Sequence, residues 1–194
     1  MKLVIVDRDG TLNLEREGFL QSPEDWQPLP GALDAVARLN HAGYQVVIAA
    51  NWPGLGRGQV DMATVNAIHA RMNKQLAAAG GRIDAIFFCP HAPDEGCSCH
   101  KPQPGLLRQI GERYKIDLAR VHAVGNSASD AQAAQAAGCR VHLVLTGRGA
   151  PARTDPLPPE FPPGTQVHAD LAAFATALIA ADEAAHPEPR STAA

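Results

Sequence analysis

Residues 4–13 read "VIVDRDGTLN": an apolar run that gives way, within one step, to two carboxylates and a glycine turn. Val4, Ile5 and Val6 suit a strand covered on both faces. Asp7 and Asp9 then stand two apart, where the strand ends in Gly10-Thr11. Carboxylates this close repel unless a cation lies between them or one is protonated. A divalent cation resolves the conflict, and so does a division of labour into nucleophile and general acid. A bare Asp-x-Asp is otherwise a polar turn. What weakens that plain reading is charge at other strand ends, Lys101 after the third strand and Asp130 after the fourth.

Outward from this stretch, apolar runs alternate with amphipathic ones. Strands are expected at 3–6, 46–49, 83–89, 122–125 and 140–145. Between them, Leu33, Val36 and Leu39 mark one helical stripe. Met62, Val65, Ile68, Met72 and Leu76 mark a second, with Asp61 as its N-cap. A third helix runs through Leu106, Leu107, Ile110 and Tyr114 with Pro104 in its first turn, and an alanine-rich fourth spans about 129–137. Residues 149–164 are a proline-rich loop, 171–180 a closing helix and 186–194 a disordered tail. Strands alternating with helices give an α/β fold, a doubly wound parallel sheet whose ligands gather at the carboxyl ends of the strands. A single domain over 1–185 is expected.

Composition narrows the class. The chain has 194 residues, 45% of them apolar, and 17 Lys plus Arg against 20 Asp plus Glu. No basic stripe points to nucleic acid and no apolar run is long enough to span a membrane. The first six residues are too short for a signal-peptide core, so a cytoplasmic monomer acting on a small phosphorylated metabolite is expected.

"VIVDRDGTLN", "HKPQPG" (100–105) and "VGNSASD" (124–130) together resemble the first, third and fourth motifs of the haloacid-dehalogenase-type phosphatases. The resemblance covers roughly residues 1–180. Within that superfamily the chain is most similar to the D-glycero-D-manno-heptose 1,7-bisphosphate 7-phosphatases, with the histidinol-phosphate phosphatases as close relatives. The resemblance implies a haloacid-dehalogenase fold without a large cap domain. It implies that Asp7 attacks phosphorus to form an aspartyl-phosphate and that Asp9 protonates the leaving oxygen, then activates water. It also implies that Lys101 offsets charge, and that Mg²⁺ sits at Asp7, Asp9 and residue 126, with Asp130 behind them. The physics agrees: an anion attacks a phosphate dianion only where cations cancel the charge.

A second constellation is "CPHAPDEGCSCHKP". Cys89, His91, Cys97 and Cys99 fall within eleven residues, the proportions of a closed tetrahedral Zn²⁺ site. Disulfides or buried free thiols are the alternatives. A reducing cytoplasm disfavours the first, and a loop rich in Pro, Asp and Gly the second. With four protein ligands no position remains for water, so the zinc of loop 89–101 is expected to be structural, pinning the chain before Lys101. Cys139 reads as a small core residue.

Three departures from the family pattern stand out. Thr-Asn-Gln-Ser-Gly at the end of the second strand is here Ala50-Asn51-Trp52-Pro53-Gly54. Gly-Asp-Ser is Gly125-Asn126-Ser127, and Cys-Arg-Lys-Pro is Cys99-His100-Lys101-Pro102. Ala50 lacks a hydroxyl and Asn126 a charge, so reduced activity and weaker Mg²⁺ binding are expected. Asn51, Trp52, Arg57 and His100 are the expected substrate contacts, with Trp52 and Pro53 narrowing the mouth. The alternatives are histidinol-phosphate hydrolysis, or a zinc-stabilised binder of phosphorylated ligands with little turnover. Keeping both Asp7 and Asp9 favours an enzyme, since a binder gains nothing from a repulsive pair.

Overall fold

The apolar run at the start of the chain becomes the middle of a sheet. In the computed structural model, which describes residues 1–16, 18–154 and 156–185, β1 (Lys2–Val6) lies between β2 (Tyr44–Asn51) and β4 (His122–Gly125). Adding β3 (Ala85–Cys89), β5 (Arg140–Val144) and β6 (Gln166–His168) gives six parallel strands in the order β3-β2-β1-β4-β5-β6. The expected tail at 186–194 lies outside the described residues.

Alternation along the strands divides the core in two. Val4, Val6, Val46 and Ile48 face α1 (Ala32–His41), α3 (Met62–Ala78) and α6 (Leu171–Ala185). Leu3, Ile5, Val47 and Ala49 face α4 (Gly105–Tyr114) and α5 (Ala128–Ala137). A short helical turn, α2 (Pro53–Gly56), follows β2. The doubly wound sheet is as expected, and among the described residues no inserted element forms a separate cap. Asp61 caps α3 by accepting from the Thr64 N–H at 2.8 Å.

Several boundaries differ from the sequence reading. β2 continues through Ala50 and Asn51 because both stay paired with β3, at Phe88 and Cys89. β3 starts later than 83, β5 ends at Val144, and α5 starts at Ala128 behind its Ser127 N-cap. Pro104 is the N-cap residue of α4 and not part of its first turn. α6 extends to Ala185, and β6 was not anticipated.

The order reverses at β1, so the crevice opens beyond the carboxyl ends of β1 and β4. Gly10 turns the chain there with φ +80; a Cβ on it would lie 2.0 Å from the Asn126 amide nitrogen. This close approach brings the loops after β1 and β4 together.

Three imidazoles cross the far strands. His122 Nδ1 lies 2.9 Å from His142 Nε2, and His142 Nδ1 lies 3.1 Å from His168 Nε2, with the Phe174 ring edge-on to His142 and His168. Each N–H···N contact of this kind needs an unprotonated nitrogen on one of its two rings. Burial pushes His122 down to about 4, with the Arg140 charge adding to it and Asp182 opposing. Burial and the neighbouring imidazoles push His142 to about 3, and burial lowers His168. The folded chain therefore stays unprotonated where the unfolded chain, near 6.5, takes up protons. Stability is fully present above about 6.5 and falls towards pH 4. Asp7, raised to about 7, works the other way by one proton over the same range. The net expectation is a melting temperature that falls from pH 6.5 to 4.5. His142→Gln, which removes one titrating ring, should fall less steeply; thermal melts across that range check it.

Candidate active site

Asp7 follows β1 directly, and its backbone N–H donates to the Val124 carbonyl on β4 at 2.9 Å, so its carboxylate is fixed at the seam of the sheet. Lys101 reaches it from the segment after β3. Its side chain is 6% exposed, and its Nζ lies 2.6 Å from Asp7 Oδ1, 2.5 Å from Asp130 Oδ1 and 2.9 Å from the Ala49 carbonyl oxygen. Asp130 occupies the first turn of α5, and its other oxygen accepts from the Ser127 N–H and hydroxyl. Asn51 fixes the backbone of Lys101, accepting from its N–H at 3.0 Å and donating to its carbonyl at 3.2 Å.

One ammonium thus serves two buried carboxylates. Burial would lower Lys101, but Asp130 and Asp7 outweigh it and its pKa is raised above the ordinary lysine value. Burial, then Asp130, push Asp7 up to about 7 against the pull of Lys101. Asp7 is therefore short of positive charge.

Asp9 is held differently. Arg8, 1% exposed, donates through Nε to Asp9 Oδ1 at 3.0 Å and through Nη2 to Oδ2 at 2.6 Å. Asn13 donates to Oδ1 at 3.1 Å. Burial alone would raise Asp9, but the charge and hydrogen bonds of Arg8 hold its carboxyl below the usual value. The carbonyl of Asp9 faces the Asn126 amide. With the amide nitrogen towards it, Asn126 donates to that carbonyl at 3.1 Å and accepts from the Arg148 N–H at 3.1 Å. Turned by half a revolution, two oxygens face each other, an arrangement that a cation would reconcile. Asp7, the Asp9 carbonyl and Asn126 thus offer the oxygen donors that a hard divalent cation takes.

These groups open into a cavity of about 250 Å³ whose lining includes Asp7, Asp9, Asn51, His100, Lys101, Asn126 and Asp130. Glu15, Arg16, Phe19, Pro53, Ser129 and Arg148 also line it. Glu15 ties the loop after β1 to Arg148, accepting from the Arg148 backbone N–H at 3.1 Å and pairing with Arg148 Nε at 2.5 Å.

Beside the cavity, Cys89, His91, Cys97 and Cys99 bring one ligand atom each to within 4.8 Å of one another. None of the four cysteines in the chain is in a disulfide. The His100 N–H donates to Cys97 Sγ at 3.3 Å, the kind of contact that steadies a thiolate. The donor set suits Zn²⁺. One residue, His100, separates Cys99 from Lys101, and the Gly105 N–H closes the loop onto the Ser98 carbonyl at 2.9 Å.

Comparison with known proteins fits this geometry. The chain is 52% identical to the D-glycero-β-D-manno-heptose-1,7-bisphosphate 7-phosphatase of Bordetella bronchiseptica over 179 residues, 92% of this chain and 98% of that one. The chain belongs to the haloacid-dehalogenase-type phosphatases. The enzyme of the same name from Pseudomonas aeruginosa is 45% identical over 91% of this chain and 97% of its own. The HAD-hydrolase-like family model matches residues 98–174. Among solved structures, the D,D-heptose 1,7-bisphosphate phosphatase of B. bronchiseptica complexed with magnesium and phosphate superposes with a TM-score of 0.88. It is 51% identical and the match covers 93% of this chain and 99% of that one.

The phosphatase brings together the expected site residues except Trp52 and Arg57. Trp52 is fully buried, with no exposed surface; it packs against Phe88 and His69 and does not line the cavity. Arg57 is exposed on the turn after α2 and is also absent from the lining. Ala50 is 2% exposed and belongs to the core on the α3 face. Pro53 does line the cavity. The sequence reading passed over Arg8, Asn13, Glu15, Arg16 and Arg148. Arg8 lay in plain view between the two aspartates, but a charged side chain carries no mark of its burial. Arg148 follows β5, and only the fold returns it to the loop after β1.

Proposed function

We propose that this phosphatase hydrolyses the 7-phosphate of a heptose 1,7-bisphosphate through an aspartyl-phosphate on Asp7. The observation that carries the chemistry is the single ammonium of Lys101 shared by Asp7 and Asp130 at the floor of the cavity. In the first step Asp7 attacks phosphorus, the bond to the sugar oxygen breaks, and that oxygen takes a proton from Asp9. In the second, Asp9 takes a proton from water, the oxygen attacks phosphorus, and the bond to Asp7 breaks to free phosphate. Between turnovers Arg8 keeps Asp9 ionised; an arriving phosphate dianion is the charge that favours its protonation. Mg²⁺, which the B. bronchiseptica complex holds with phosphate, fits Asp7, the Asp9 carbonyl and Asn126, and would supply the positive charge that Asp7 lacks. The relatives, whose names agree over nearly the whole chain, support this substrate.

The test is phosphate release from heptose 1,7-bisphosphate, the corresponding monophosphates and histidinol phosphate, with and without Mg²⁺. Preference for the bisphosphate with loss at C7 supports the reading. Preference for histidinol phosphate, or binding without release, defeats it.

Two further outcomes are expected. Asn126→Asp should lower the Mg²⁺ concentration for half-maximal rate, since it restores a carboxylate beside the Asp9 carbonyl; a magnesium titration of kcat/KM checks it. Zinc should be found at one ion per chain on Cys89, His91, Cys97 and Cys99 by elemental analysis. Removing it should cut activity through displacement of Lys101, with the thiols then reactive towards a thiol reagent.

A further inference from the structure

The guanidinium of Arg8 lies over the Trp52 ring, 3.8 Å from its centroid, while its edge grips both oxygens of Asp9. We propose that Trp52 and Arg8 form a clamp that positions the Asp9 carboxylate for proton transfer, Trp52 acting on the reaction only through Arg8. This rests on the acid–base role given to Asp9 above.

Arg8 is 1% exposed, and a charge so placed is costly unless paired. Asp9 takes two of its N–H groups, and Nη1 has no acceptor among the described residues. The aromatic face therefore supplies attraction to the cation and a floor that fixes its plane. Because the grip on Asp9 is bidentate, the plane of the guanidinium sets the plane of the carboxylate. Asn13 adds one bond to Oδ1 but leaves Oδ2 to Arg8 alone.

Trp52 is itself held rigidly. Its backbone N–H donates to the Cys89 carbonyl at 2.8 Å, and Phe88 and His69 meet its ring edge-on at 6.0 and 5.4 Å. Alternation along β2 carries its side chain inward, beside Ile48 and Ala50. A tryptophan placed beneath the cavity, out of reach of any ligand, thus remains coupled to the acid–base group.

The experiment compares two esters. An alkyl phosphate needs its leaving oxygen protonated; 4-nitrophenyl phosphate, with a stable phenolate, hardly does. Trp52→Leu should reduce kcat for the alkyl ester relative to the aryl ester by about tenfold or more, within the range that proton transfer contributes. Trp52→Phe, which keeps an aromatic face, should restore most of the ratio. Asp9→Asn sets the largest ratio attainable. An unchanged ratio in Trp52→Leu overturns the proposal, whether both rates fall together or neither does. If Trp52→Leu does not fold, Arg8→Lys, which keeps the charge but not the fork, takes its place with the same expected shift. Crystal structures of the parent and variant decide the geometry apart from turnover. The grip on Asp9 should be present in the parent and lost or rotated in Trp52→Leu, and an ungripped Asp9 in the parent overturns the clamp. If the parent releases phosphate from neither ester, the acid–base reading fails, and the crystal comparison alone decides the clamp.

Discussion

Asp7→Asn is expected to lower phosphate release by about 10⁴-fold or more, because an amide oxygen cannot form the acyl phosphate on which both steps depend. The fold should survive. Asparagine keeps the size of the side chain and relieves the repulsion with Asp130 that, after burial, pushes Asp7 up to about 7. Phosphate release under saturating magnesium, together with a thermal melt, separates loss of chemistry from loss of structure. Beryllium fluoride, which mimics an acyl phosphate, should protect the parent against unfolding and leave Asp7→Asn unprotected. Near-parental activity in Asp7→Asn would remove the nucleophile from the proposed mechanism.

The second large effect is at Lys101. Lys101→Met deletes the cation shared by Asp7 and Asp130 and leaves both carboxylates in a site almost closed to water. Breaking a buried pair from one side costs about 3–5 kcal/mol, which for a chain of this size is on the order of 10 °C in melting temperature. Activity should fall by about 10³-fold, as for other deletions of a group that stabilises developing charge. Adding Asp130→Asn to Lys101→Met should recover part of the stability, since one fewer carboxylate is stranded, and none of the activity. Melts and kcat of the two variants measure both. A double variant that regains turnover would show that Lys101 serves the fold and not the phosphate.

The reach of the sequence reading differs by residue. β1 and the Asp7–Asp9 pair were legible because an apolar run meeting charge is a local signal. The roles of Lys101 and Asp130 rested on resemblance in motif order, and the structure joins both to Asp7 through the pairing of β1 with β2 and β4. β6 was missed because Gln166-Val167-His168 has no apolar run; its pairing with β5 defines it. Trp52 reads from the sequence as a wall of the mouth because it follows a strand end next to a proline. Yet the period-two alternation of Val46, Ile48 and Ala50, extended by one more pair of residues, already points it into the core. Arg57 had charge and proximity in its favour, but α2 and the turn after it leave it in solvent.

The strand order also determines what happens to a chain cut in two. A break after Lys115, in the exposed connection leading to β4, leaves Asp7, Asp9, Lys101 and the Cys89–Cys99 cluster on one fragment, and Asn126 and Asp130 on the other. Each fragment keeps three neighbouring strands, β3-β2-β1 or β4-β5-β6, and each bares one inner edge. The β1–β4 ladder, the Asp7 N–H to Val124 carbonyl bond, the Lys101–Asp130 pair and the packing of α6 against α1 hold the halves together. Neither half holds a whole site, so turnover would appear only on reassembly, which makes this chain a natural split reporter.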